Sequence, residues 1–129
     1  MTPELTALAT AALVQFAQLG VFGYYVRSQG NLGYQVGNRD TAPPHTGKAA
    51  RAQRAMTNHV ENLILFAIAV VVVTLSDQGT AFTATCAWAY VLARILYVPA
   101  YVFGLGPMRG AVWGLGWVAT LLMILAAFV

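Results

Sequence analysis

Arg51–Leu75, RAQRAMTNHVENLILFAIAVVVVTL, changes character half-way along and decides the fold. Read as a helix, Arg51, Arg54, Asn58 and Glu61 fall at spacings of three, four and three, so all four project from one face. That face runs without a break into the apolar Leu63–Leu75. The thirteen residues between Asn62 and Ser76 cover only about 20 Å at helical rise, against a hydrocarbon core roughly 30 Å thick. The polar end must supply the remainder, which draws a carboxylate and its neighbours below the headgroups. An ionisable residue there is expensive and marks a functional site.

The composition agrees with a membrane setting. Of 129 residues, 59% are hydrophobic and only 9% charged, and the mean hydropathy is positive. A soluble core of this size would not need so little charge, and the length allows one domain. The single cysteine, Cys86, excludes an intrachain disulfide and sits in an apolar run, where it reads as packing. A net charge of +3 and a pI near 9.4 could suggest nucleic acid. No basic patch with interleaved aromatics on a soluble module accompanies them, so no nucleic-acid partner is expected. Met1-Thr-Pro-Glu4 lacks the basic region of a secretory signal, and the first apolar segment is expected to be retained.

Working outward, four hydrophobic segments appear: Leu5–Val26, Leu63–Leu75 with its polar extension upstream, Thr80–Phe103 and Ala111–Val129. With the second helix extended back to Lys48, the expected spans are 5–26, 48–75, 80–103 and 111–129. A polar loop, 27–47, separates the first two, rich in Gly and Asn and closed by Pro43-Pro44, after which Thr46 offers a capping oxygen. Ser76–Gly79 and Leu105–Met108 are tight turns, so neighbouring helices are antiparallel. The fold class is therefore an all-α, four-transmembrane-helix bundle. Both termini and the turn at Ser76 share one side, which holds Glu4 and Asp77 and no Lys or Arg. Arg27, Arg39, Lys48, Arg51, Arg54 and Arg109 collect on the other, which the positive-inside rule assigns to the cytoplasm. Gly110-xxx-Gly114 and Gly116-xxx-Thr120 allow close helix approach, either within the chain or between subunits.

In the hairpin around Ser76–Gly79, positions equally far from the turn lie at equal depth. Glu61 falls level with Arg94, Asn58 with Tyr97, and Arg54 with Tyr101. Arg94, Tyr97 and Tyr101 themselves share a helix face. Glu61 and Arg94 each lie ~21 Å from the turn, in the cytoplasmic third of the bilayer. Glu61 and Arg94 could form an ion pair that only locks the bundle. That reading leaves the continuation of the stripe unexplained, whereas the lining of a pocket for an anionic, polar ligand accounts for all of it.

Arg54-Ala-Met-Thr-Asn58-His-Val-Glu61 followed by Ala93-Arg94-Ile-Leu-Tyr97-Val-Pro-Ala-Tyr101 resembles the signature of the MAPEG family, the membrane-associated proteins in eicosanoid and glutathione metabolism. Gly37-Asn-Arg-Asp-Thr-Ala-Pro-Pro44 is similar to its bacterial branch, which implies the inner membrane. The resemblance implies a homotrimer with glutathione as co-substrate, held near the cytoplasmic face between subunits. It implies transferase or peroxidase activity on a lipophilic electrophile arriving from the lipids of the bilayer. By matching positions, Arg51, Arg54, Asn58 and Glu61 would bind glutathione from the second helix, and Arg94, Tyr97 and Tyr101 from the third. Asn62 stands where some family members have tyrosine. For activation of the thiol, Arg27 at the end of the first span and Arg109 before the fourth both qualify, with Arg109 preferred.

The rival reading is a non-catalytic protein of the same build that binds a lipid headgroup or modulates a partner. A pore is disfavoured, since nothing polar continues through Leu63–Leu75. His45 and His59 lack the neighbours a metal site needs, and no metal is expected. Trp88, Trp113 and Trp117 read as packing or interfacial anchors.

Overall fold

Thr2 opens the first helix by accepting the Leu5 backbone N–H at 3.3 Å, with Pro3 in the first turn where its missing N–H costs nothing. The structure, a computed structural model, describes residues 1–30, 32–42 and 44–129. Four long helices follow in order, α1 (Pro3–Ser28), α3 (Gly47–Leu75), α4 (Ala81–Val102) and α5 (Gly106–Ala126), with a five-residue helix α2 (Leu32–Val36) between the first two. Of the described residues 81% are helical and none lies in a strand, and all four long helices are long and apolar enough to cross a membrane.

Local chemistry ends each helix. At the close of α3, Asp77 adopts a left-handed φ of 56° and the Gln78 N–H reaches back to the Val73 carbonyl at 3.0 Å. Thr80 and Thr83 then form a reciprocal capping box that starts α4 only a few residues later. At the other end of α4, Gly104 takes φ 75° and the Leu105 N–H bonds the Ala100 carbonyl at 2.8 Å.

The polar loop differs from its expected form. Leu32–Val36 coils into about one helical turn and a half, and Gly30 ahead of it takes a left-handed φ of 78°. The Gly/Asn-rich composition concealed it, and Pro43 lies outside the described residues. Thr46 does precede α3, but its side chain caps nothing. It is engaged by Gln29, whose Nε2 donates to the Thr46 carbonyl at 2.8 Å and to its hydroxyl at 3.3 Å. The fourth long helix begins at Gly106 and not at Ala111, because Pro107 is tolerated in a first helical turn. Arg109 is thereby carried on the helix instead of before it.

α3 and α4 form the central antiparallel pair, with α1 packed on both from one side and α5 from the other. Fully buried Ala7, Ala11, Ala69 and Ala87 let the backbones approach closely, which in lipid does the work that hydrophobic expulsion does in water. Phe66 of α3 stacks on Tyr90 of α4 with ring centroids 3.9 Å apart. The outward faces carry exposed Leu13, Phe16, Ile64, Leu92 and Leu121, suited to acyl chains. Gly116 faces inward, where a methyl group would sit 3.5 Å from Ala93 Cβ, so this small residue serves intrachain packing. A methyl group added at Gly110 or Gly114 would meet nothing of the described chain within 4 Å.

One polar clasp holds the end remote from the loop. Glu4, 3% exposed, accepts the Thr83 hydroxyl at 2.6 Å, tying the start of α1 to the start of α4. Glu4→Ala should cost about 1–2 kcal/mol, the worth of one such hydrogen bond, read as a lower Tm in detergent. Glu4→Gln keeps an acceptor and should cost less; equal losses for the two would mean that the bond contributes nothing.

Candidate functional site

The loop-side halves of α3 and α4 bring together most of the polar stripe. Arg54 Nε donates to the Tyr101 hydroxyl at 3.2 Å, with its guanidinium 5.8 Å from the ring centroid. Tyr101 and Tyr97 meet edge to face at 5.5 Å. Arg109 approaches from α5, its guanidinium 4.7 Å from the same Tyr101 ring. Asn58, Tyr97, Tyr101, Arg109, Gly110 and Trp113 enclose a cavity of about 340 Å³ that opens outward. Two cations thus flank one tyrosine at the rim, and among the described residues no acidic side chain lines the cavity.

Beneath it lies Arg94, only 1% exposed. Its Nη1 donates to Asn58 Oδ1 at 3.1 Å, while Nε and Nη2 have no partner among the described residues. The rings of Tyr90 and Tyr97 stand 5.0 and 5.6 Å from the guanidinium, and the face of Gly116 leaves it room, since a methyl group there would lie 3.3 Å from Nη2. The charge is held by one amide oxygen and two aromatic faces.

Three predicted site residues stand elsewhere. Glu61, expected opposite Arg94, is exposed, and Asn58 takes the guanidinium in its place. Three residues further along a helix, Glu61 points about 60° away from Asn58. Arg51 is committed to structure: its Nη1 donates to the Val102 carbonyl at 3.1 Å, at the end of α4. Arg27 ends α1, exposed, and is not among the cavity-lining residues.

Two lining residues escape a reading by residue type. Trp113, taken from the sequence as an anchor, faces the cavity, and Trp117 lines a second, apolar one. Their spacing of four from Arg109 onward is the signal that could have placed them on the same face. The second cavity, of about 80 Å³, lies between Asn62 and Leu65 of α3 and Trp117, Thr120, Leu121 and Ile124 of α5. Trp113 and Trp117 stack at 6.5 Å and so link the polar cavity to the apolar one. Asn62 turns back on its own helix, its Nδ2 donating to the Asn58 carbonyl at 2.8 Å.

His59, fully buried, uses Nε2 on the Ala11 carbonyl at 3.2 Å and so joins α3 to α1. Among the described residues no three His, Cys, Asp or Glu side chains gather closely enough to hold a metal ion.

The MAPEG family model matches residues 4–129, nearly the whole chain. The protein belongs to the MAPEG family. It is an integral membrane protein of the family concerned with glutathione and eicosanoid metabolism. No curated protein and no solved structure matches it at the significance required. The side chains of this MAPEG chain offer an electropositive, tyrosine-lined cavity beside Trp113 and an apolar one beside Trp117, with the two rings stacked.

Proposed function

We propose that the protein is a glutathione-dependent transferase or peroxidase of the bilayer, acting as a homotrimer with its site towards the cytoplasm. The observation that carries this reading is the joint approach of Arg54 and Arg109 to Tyr101, beside Tyr97 and Asn58 and one tryptophan away from an apolar cavity. A tripeptide with two carboxylates and a thiol suits the first chamber, and a lipophilic electrophile suits the second.

A free thiol with a pKa near 8.5 is only a few per cent ionised at neutral pH. A guanidinium placed beside the sulfur favours the thiolate, and Arg109 on the cavity wall supplies it. In conjugation, the thiolate forms a sulfur–carbon bond as the leaving group departs with its electron pair. In peroxide reduction, two thiols are oxidised to a disulfide while the hydroperoxide becomes an alcohol and water. Neither step needs a nucleophile from the protein, consistent with Cys86 lying buried in α4 away from the cavity lining. The exposed Glu61 and the open face of Gly110-xxx-Gly114 support assembly, since a second copy would complete a wall that one chain leaves open. The concentration of Lys and Arg near this end supports a cytoplasmic orientation and extracytoplasmic termini.

The test is thermal stability of the detergent-purified protein with glutathione, joined to assays of conjugation to an aromatic halide and reduction of a lipid hydroperoxide. At a hundredfold excess over Kd, glutathione should stabilise the fold by about 2–3 kcal/mol. Arg54→Ala and Glu61→Ala should each remove most of that gain. No stabilisation at millimolar glutathione would sink the assignment, and stabilisation without turnover would leave a non-catalytic binding protein.

A further inference from the structure

Gln18 lies on the opposite side of the bundle and has no part in the site above. It is 3% exposed, yet neither its Oε1 nor its Nε2 meets a partner among the described residues. It borders a cavity of about 220 Å³ between α1 and α4, with Ala17 and Val21 on one wall and Ile95, Val98 and Pro99 on the other. Pro99 sits inside α4 and has no N–H, so the carbonyl of Ile95, itself a lining residue, lacks its usual helical donor. Everything else lining the cavity is aliphatic. An unpaired carboxamide in such a place is unfavourable, and a leucine of similar size would avoid the penalty.

The geometry points to a ligand that supplies what both groups lack. We infer that the α1–α4 groove binds a single-chain lipid with a neutral hydroxyl-bearing head, an alcohol or a protonated carboxylic acid. Its O–H donates to Gln18 Oε1 or the Ile95 carbonyl, and an oxygen accepts from Gln18 Nε2. No cation lines the groove to meet a phosphate or a carboxylate. The volume falls below the roughly 300 Å³ at which cavities begin to take larger ligands, which favours one chain over two.

Diazirine-bearing palmitic acid, photolysed with the full-length protein in vesicles and mapped by peptide mass spectrometry, tests this. Adducts should concentrate on Val14–Val21 and Ile95–Pro99. Hexadecan-1-ol should compete at any pH, palmitic acid best near pH 5 where its head is neutral, and hexadecane not at all. Gln18→Leu should cut labelling about tenfold, as loss of the head contacts requires. In the absence of ligand the same variant should melt higher than the parent, because an unmet polar group has gone. Val98→Phe, which fills the groove, should abolish labelling with Gln18 still in place. Even labelling of all lipid-facing helices, with hexadecane competing equally, would reduce the groove to general lipid contact and overturn the proposal. A lower Tm for Gln18→Leu would give Gln18 a structural partner and overturn it too. So would efficient crosslinking between copies through cysteines placed at Ala17 and Val98, which would show a second subunit covering the groove.

Discussion

Arg109→Ala should lose glutathione-dependent turnover about a hundredfold near pH 6 and hardly at all near pH 9. The pH dependence follows from the thiol. If the guanidinium holds the bound thiol near 6.5, its loss returns the pKa to about 8.5. At low pH the thiolate fraction then falls by nearly the full two decades, whereas at high pH both proteins hold thiolate and the difference closes. Glutathione-induced stabilisation should survive, because Arg54 and Tyr101 remain in contact without Arg109. A loss that is the same at both pH values, or one confined to the glutathione concentration needed for half-saturation, would make Arg109 a binding group. Arg27→Ala should leave the profile unchanged. If it reproduces the pH-dependent loss, the activator is Arg27, reaching the cavity from a neighbouring copy.

Asn58→Leu is the second large effect, here on stability. Among the described residues Asn58 Oδ1 is the one hydrogen-bond acceptor given to Arg94, a charge only 1% exposed whose Nε and Nη2 find no partner there. Removing that acceptor strands the charge, at a cost of about 3–5 kcal/mol. Denaturant titration in detergent should show the midpoint fall accordingly. The double variant Asn58→Leu with Arg94→Met should recover most of the loss, since an apolar pair of similar volume is close to neutral. It should nevertheless show no stabilisation by glutathione. A double variant as unstable as Asn58→Leu alone would place the cost in packing and not in charge.

The outcome for Asn58 and Glu61 shows what a sequence does and does not disclose. Counting residues from a tight turn measures rise along two antiparallel helices, and it put Arg54 level with Tyr101, which the structure shows in contact. It does not measure azimuth with the same reliability, since a few residues of drift turn a side chain from one neighbour to another. Glu61 and Asn58 differ by less than one turn in height but by about 60° in direction, and only one of them faces Arg94. Charged residues were legible because lipid makes them costly and therefore conspicuous. Trp113 was not, because a tryptophan is equally at home at a membrane interface, in a core or against a ligand. Gly116 was legible as a small residue, while what it makes room for, the Arg94 guanidinium, required coordinates.

The bond from Arg51 to the Val102 carbonyl bears on how fast a ligand is caught. Gly104, at the hinge between α4 and α5, is packed so closely that a methyl group would lie 3.1 Å from Arg51 Nη1. The side chain therefore braces the bend that separates Tyr101 from Arg109. A rim held in this way surrenders little conformational entropy when a flexible peptide lands on it, so less binding energy is lost to ordering the receptor. Encounter then resembles diffusion of an anion onto a fixed basic ring, a process that slows as salt is added.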